Sequence, residues 1–163
     1  MSEEPHIEHR APQPYVAIPF RVSMQQLAGA VDQGFPELFG WLASHALTPA
    51  GPPFIRYLEV SMDAELSIEV AVPVSTGPPA EGNIRAGVLP AGRYVTLLHV
   101  GPYDGLVEAN ATLQRWAQER NISWQMDSGS TWRGRVERYL TDPSQDRDPS
   151  TWQTEVAYLA AED

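Results

Sequence analysis

From Leu66 to Ser75 every second residue is apolar. Leu66, Ile68, Val70, Val72 and Val74 share one face, and Ser67, Glu69 and Ala71 share the other. That period of two predicts an antiparallel strand with one covered face. Phe54 to Ser61 reads as its partner strand, with Met62, Asp63 and Ala64 at the turn, and Tyr15 to Phe20 is a shorter extended run. Between these strands the period changes. Leu27, Val31, Phe35, Leu38, Phe39 and Leu42 recur at steps of three and four, which predicts a helix. Ser23 and Gln26 in front of it have capping-box spacing. Gly34 and Pro36 predict a break or a second short helix near Phe35, because proline lacks the N–H that the helix ladder needs. Pro49, Gly51, Pro52 and Pro53 end the helical stretch.

The second half repeats this order. Arg93 to Val100 reads as a strand, Tyr103 to Arg120 as a helix with Leu106, Ala109, Leu113 and Trp116 on one stripe, and Trp132 to Leu140 as a strand. Gly129 falls in a loop, Thr141 to Pro149 is a polar loop, and Gln153 to Ala160 is the last strand. Gly77 to Gly82 divides the halves. Specific residues recur in the same order: Tyr15-Val16 as Tyr94-Val95, Trp41 as Trp116, Arg56-Tyr57-Leu58 as Arg138-Tyr139-Leu140, and Glu69-Val70-Ala71 as Glu155-Val156-Ala157. The prediction is an α+β fold: two β-α-β-β modules, about residues 14–76 and 84–160, related by a pseudo-twofold. Neither module can cover its own apolar sheet face, so the antiparallel sheets should meet at a central ligand groove. Residues 1–13, with Pro5 and Pro12, read as a flexible N-terminal arm before a domain at 14–163.

Composition narrows the function. The chain has 163 residues, 42% hydrophobic and 20% charged, with a formal net charge of -10. This is globular composition, and the charge argues against direct nucleic-acid binding. Without cysteine there is no disulfide, thiolate metal site or cysteine nucleophile. His6, His9, His45 and His99 are too scattered for metal-ligand spacing, and Glu69 and Glu155 complete no ligand pattern. No phosphate loop, dinucleotide fingerprint or nucleophile elbow occurs. The expectation is therefore no cofactor and no metal. No apolar run approaches the roughly 20 residues of a membrane helix, and Met1 to Pro14 does not read as a signal peptide. No membrane association and a cytoplasmic location are expected.

Two segments carry a more specific signal: His99-Val100-Gly101-Pro102-Tyr103 and Glu137-Arg138-Tyr139-Leu140-Thr141-Asp142-Pro143, with Leu106, Leu113 and Trp116 between them and Thr154-Glu155-Val156 at the end. Together they resemble the GyrI-like (gyrase-inhibitor-like) small-molecule-binding domains, a family that includes effector-binding domains of AraC-type and MerR-type multidrug regulators. The resemblance covers about residues 14–160. It implies paired β-α-β-β modules with a ligand pocket between them, and a glutamate on the penultimate strand as the buried acid of that pocket. Glu137 stands at that position. Met1 to Pro14 leaves no room for a DNA-binding domain in front, so a stand-alone member is expected.

Strand parity places candidate residues. Trp132, Gly134, Val136, Arg138 and Leu140 fall on one face and Arg133, Arg135, Glu137 and Tyr139 on the other. Val136 and Leu140 suit packing against the helices, which would turn Glu137 and Tyr139 toward a groove on the opposite side, with Ile55 and Tyr57 at the matching positions of the first repeat. Trp132, at a strand start where bulges are common, is a further candidate. Glu137, Tyr139, Tyr57, Ile55 and Trp132 would form a receptor for an aromatic or cationic molecule. The alternative for Glu137 is an exposed edge carboxylate paired with Arg133, Arg135 or Arg138. Tyr103 and His99 read as packing residues of the Gly-Pro-Tyr turn. The groove suits a multidrug-type binder of aromatic or cationic compounds, and the resemblance implies two alternatives: a hydrolase of cyclopropane-bearing alkylators, or a module with a protein partner. In the hydrolase, Glu137 would be the catalytic base and Tyr139 or Tyr57 the donor.

Overall fold

A computed structural model describes residues 4–60, 65–75, 81–128 and 131–161. The turn expected at Met62, Asp63 and Ala64, the loop at Gly129 and residues 77–80 lie outside the described residues. In chain order the strands are β1 (His6–Arg10), β2 (Gln13–Val22), β3 (Phe54–Val60), β4 (Leu66–Pro73), β5 (Arg85–Leu89), β6 (Gly92–Val100), β7 (Met126–Ser128), β8 (Thr131–Trp132), β9 (Arg135–Tyr139) and β10 (Gln153–Leu159). Helix α1 (Leu27–Ser44) follows β2 and α2 (Leu106–Glu119) follows β6. Eight strands form one curled antiparallel sheet in the order β1-β6-β10-β9-β3-β4-β2-β5, and β7 with β8 makes a separate ribbon.

The sheet order is symmetric about the β3–β9 pair, where Ile55 lies opposite Glu137. Val70 pairs with Ile18, and in the other half Val156 pairs with Leu97. This register superposes Tyr57 on Tyr139, Glu69 on Glu155 and Tyr15 on Tyr94, as the sequence repeat predicts. The helices agree: Gly34, Leu38 and Leu42 are buried in α1, and Ala109, Leu113 and Ala117 in α2. The repeats also exchange edges. β1, just before β2, pairs with β6 of the other half, and β5, just before β6, pairs with β2.

That exchange corrects the reading of the N-terminus. The segment expected to be irregular contains a strand, paired along its length from His6 to Arg10. Its sequence, HIEHR, has no apolar alternation to betray it. The unpaired N–H and C=O groups at the edge of β6 recruit it through backbone bonds. Pro5 and Pro12 lie outside its ladder.

Helix α1 is also continuous where a break was expected, with Pro36 inside it. Pro36 and Asp32 are both exposed, so the carbonyl that loses its partner meets water. An interior proline costs about 3 kcal/mol, while burying Leu38 and Leu42 is worth about 1.5–3 kcal/mol each. Gly34 lets the helix close on the sheet, since a Cβ there would lie 3.0 Å from Val70 and 3.1 Å from Phe20.

The strand expected from Trp132 to Leu140 is two pieces, β8 and β9, separated at Arg133-Gly134. A Cβ at Gly134 would sit 2.7 Å from that of Leu159, so only glycine allows the chain to pass there.

Which face the helices take is the fourth correction. α1 packs on β2 and β4, and α2 packs on β6. Ile55 and Tyr57 share a core cluster with Leu38 and Leu42, so both helices stand on the Glu137 side of the sheet. Val136 packs on the other side with Tyr15, Phe54, Tyr94 and Leu159. Leu140 lies beyond the end of β9 and does not follow its alternation. Both sheet faces are apolar enough to be covered, so alternation separates the faces without saying which one receives the helices.

Candidate functional site

The helices cover the two outer parts of the sheet and leave β3 and β9 uncovered between them. The result is a groove of about 990 Å³ with β3 and β9 as its floor and α1 and α2 as its walls. Ile55, Tyr57, Arg135, Glu137 and Tyr139 form the floor, Leu27, Val31, Phe35 and Phe39 the α1 wall, and Val107 and Asn110, with Tyr103 from the turn before α2, the opposite wall. Met24, Phe39, Tyr103, Val107 and Leu140 are exposed large hydrophobic residues, and all of them line this groove. Such clustering of exposed apolar surface marks a binding region.

Glu137 is only 8% exposed. One carboxylate oxygen, Oε1, accepts hydrogen bonds from the hydroxyls of Tyr57 at 3.0 Å and Tyr139 at 2.9 Å. The other, Oε2, accepts one from Asn110 Nδ2 at 3.2 Å. Asn110 is held in turn: Nδ2 also donates to the Leu106 carbonyl at 2.8 Å, and Oδ1 accepts from the Tyr158 hydroxyl at 2.7 Å. Gln114 Nε2 donates to that hydroxyl at 2.9 Å. A buried carboxylate demands such partners, and here all of them are neutral. Burial first, and the Glu137 carboxylate second, push the hydroxyls of Tyr57 and Tyr139 well above the ordinary tyrosine value. Both therefore remain protonated donors.

The arginine-paired edge carboxylate is not what forms. β9 is a central strand, and among the described residues no arginine bridges Glu137. Arg138 turns to the opposite face and meets Glu155 at 2.8 Å. Arg135 lines the same groove as Glu137, but its guanidinium lies over the rings of Trp132 and Tyr158, both at 4.8 Å, and Tyr57 at 5.6 Å.

Of the sequence candidates, Glu137, Tyr139, Tyr57 and Ile55 come together on the floor. Trp132 does not join them. It packs against the α2 cluster with Trp116 and Trp124 and meets the groove through Arg135. His99 is buried, its ring Nε2 at 2.9 Å from the Pro102 carbonyl.

Tyr103, read as a packing residue, lines the groove. Its ring lies 5.8 Å from that of Tyr139, edge to face, and 4.8 Å from Trp152. Gly101, at φ 139, makes the turn that presents it. Phe35 packs edge to face on the other side of Tyr139 at 6.2 Å. Phe35, Phe39, Asn110 and Arg135 were not singled out by sequence. One signal was available: α1 carries a second apolar stripe, Leu27, Val31, Phe35 and Phe39, beside the one that meets the sheet. Nothing marks Asn110, a polar residue in a polar helix face.

Carboxylates also stand at the rim, on Asp32 and Asp142. Hydrogen bonds from the Ser144 hydroxyl and backbone N–H hold the Asp142 carboxyl below its usual value. Among the described residues no group of three or more His, Asp or Glu side chains could hold a metal ion. No helix among the described residues is long and apolar enough to cross a membrane.

Paired modules, an apolar groove at their junction and one buried carboxylate in its floor define a small-molecule-binding domain. The chain belongs to the GyrI-like small molecule binding domain family, whose model matches residues 3–158. No curated protein sequence matches it, but solved structures do. The C-terminal domain of EcmrR superposes with a TM-score of 0.81 at 21% identity, covering 98% of each chain. EcmrR in a DNA complex gives 0.84 at 20% identity over 98% of this chain, which spans 58% of the length of that one. SAV2435 bound to tetraphenylphosphonium gives 0.69 at 13% identity, covering 98% of this chain and 94% of that one. At these identities the likeness is one of fold.

Proposed function

We propose that the protein binds aromatic small molecules that carry a positive charge, with the rings against the walls of the groove and the charge at Glu137. One observation carries this reading: a buried carboxylate, contacted among the described residues only by neutral donors, in the floor of a largely aromatic and aliphatic groove. Hydroxyl and amide donors satisfy its hydrogen-bonding capacity without bringing a positive charge into contact with it. A ligand cation supplies that compensation and gains from the faces of Tyr139, Tyr103 and Phe35 as well. The rim carboxylates and the formal net charge of -10 draw cations toward the groove from a distance. Tetraphenylphosphonium, seen with one structural neighbour, has this chemistry.

Calorimetric titration tests the reading. Tetraphenylphosphonium should bind the wild type, and Glu137→Gln, which keeps the shape of the side chain, should weaken it by about 1–3 kcal/mol, roughly 5- to 150-fold. Triphenylphosphine oxide, neutral and of similar build, should respond little to the same substitution. Equal affinity of both proteins for the cation would exclude the electrostatic part of the reading. A binder should also leave a cyclopropane-bearing alkylator to decay at its uncatalysed rate, whereas accelerated loss abolished by Glu137→Gln would make the protein a hydrolase.

A further inference from the structure

The groove holds a second charge that a cation-binding site does not need. Arg135 stands two residues before Glu137 on β9, and both side chains line the groove. They do not neutralise each other by contact. Glu137 is satisfied by two tyrosines and an asparagine, and Arg135 is caged by the rings of Trp132, Tyr158 and Tyr57. The Arg135 Nε is buried and has no hydrogen-bond partner among the described residues. A buried, unsatisfied charged donor is costly. Its position also works against simple cation binding, since it opposes the Glu137 field. The pseudo-twofold sharpens the point: at the matching positions of β3 and its approach stand Ile55 and Pro53, also lining the groove. All floor charge therefore comes from the second repeat, as one cation and one anion side by side, while the first repeat places apolar Pro53 and Ile55 at the matching positions.

We propose that the groove selects aromatic zwitterions: a ring system against α1, a cationic group at Glu137 and a carboxylate or similar anionic acceptor at Arg135. This rests on the cation-binding reading and adds to it a second polar group on the ligand. A guanidinium pre-set by ring stacking presents its N–H groups to a carboxylate with little further loss of side-chain freedom.

Rhodamine B, a cationic xanthene bearing a free carboxylate, and its ethyl ester, which keeps the cation and loses the anion, form the test pair. Binding is followed by fluorescence anisotropy, with tetraphenylphosphonium titrated in parallel. Wild type should bind rhodamine B about tenfold tighter than the ester. Arg135→Gln should remove that preference, weakening rhodamine B while leaving the ester and tetraphenylphosphonium as tight or tighter. Arg135→Lys, which keeps the charge, should retain part of the preference, and it serves in place of the glutamine variant if that fails to fold. A wild type that binds the ester as well as or better than rhodamine B overturns the proposal, as does a preference unchanged in the variants. If tetraphenylphosphonium binds and neither dye does, the zwitterion inference fails and the cation reading stands. If none of the three binds, the cation reading itself fails.

Discussion

At the scale of single residues, the site is a question of who satisfies Glu137. Its two tyrosine donors come from different repeats, Tyr57 from β3 and Tyr139 from β9, and both reach Oε1. Each hydroxyl should therefore be coupled energetically to the carboxylate. In a double-mutant cycle of Tyr57→Phe and Glu137→Gln, urea unfolding should give a coupling energy of about 1–3 kcal/mol, the range for hydrogen bonds to a charged group. Tyr57→Phe alone should be the more damaging in the presence of the native glutamate, because it leaves a buried charge short of one donor. Strictly additive effects would mean that the hydrogen bond contributes nothing to stability. The identities of Glu137, Tyr139 and Tyr57 were legible in the sequence, since period-two alternation puts residues i and i+2 on one face whatever the rest of the fold does. Arg135 falls on that same face, yet the sequence says nothing of its cage: Tyr158 comes from β10 and Trp132 from a separate ribbon.

At the scale of elements, the repeat extends to how the helices end. α1 ends at His45 followed by Ala46 at φ 55, and α2 ends at Arg120 followed by Asn121 at φ 58. The next residue in each case, Leu47 or Ile122, donates its N–H back to the helix at 2.9 Å, to Leu42 and Ala117 respectively. A left-handed residue at this position suits glycine or asparagine and strains alanine. Asn121 meets that rule and Ala46 does not. Ala46 is exposed, so a substitution there disturbs no packing. Ala46→Gly should stabilise the protein by about 0.5–1 kcal/mol, visible as a rise of roughly 1–4 °C in the thermal midpoint. An unchanged or lower midpoint would show that the strain is relieved in some other way. Helix and strand positions were legible where a periodic apolar stripe exists, as in α1, α2 and β4. β1, β5 and β7 were not, because edge and ribbon strands form by backbone pairing and carry no obligatory pattern.

At the scale of the whole molecule, the sheet buries phenolic side chains on both faces. All six tyrosines, Tyr15, Tyr57, Tyr94, Tyr103, Tyr139 and Tyr158, have hydroxyls raised above the ordinary value of 10.0, with burial as the largest cause in each. A raised value in the folded state means that folding favours the protonated form. Stability from this source is fully present below pH 10 and is lost as the pH climbs past it toward the folded-state values. Tyrosinate absorbance should lag well behind that of free tyrosine through pH 10 and then rise together with the loss of circular dichroism. Early, independent titration of five or six tyrosines in a still-folded protein would contradict the burial described here.

The sequence by itself determined the modules, their duplication and the separation of each strand into two faces, because these follow from local periodicity and from residues that recur in order. It also determined that a carboxylate and two tyrosines share one face at the junction of the repeats. Only the tertiary structure decided that the helices stand on that same face and leave the β3–β9 pair open between them, which is what makes the face a groove. It alone brought Phe35 and Tyr103 to Tyr139, Asn110 to Glu137, and Tyr158 to Arg135. Those contacts join residues far apart in the chain, and they depend on how two packed layers settle against each other, which no local pattern encodes.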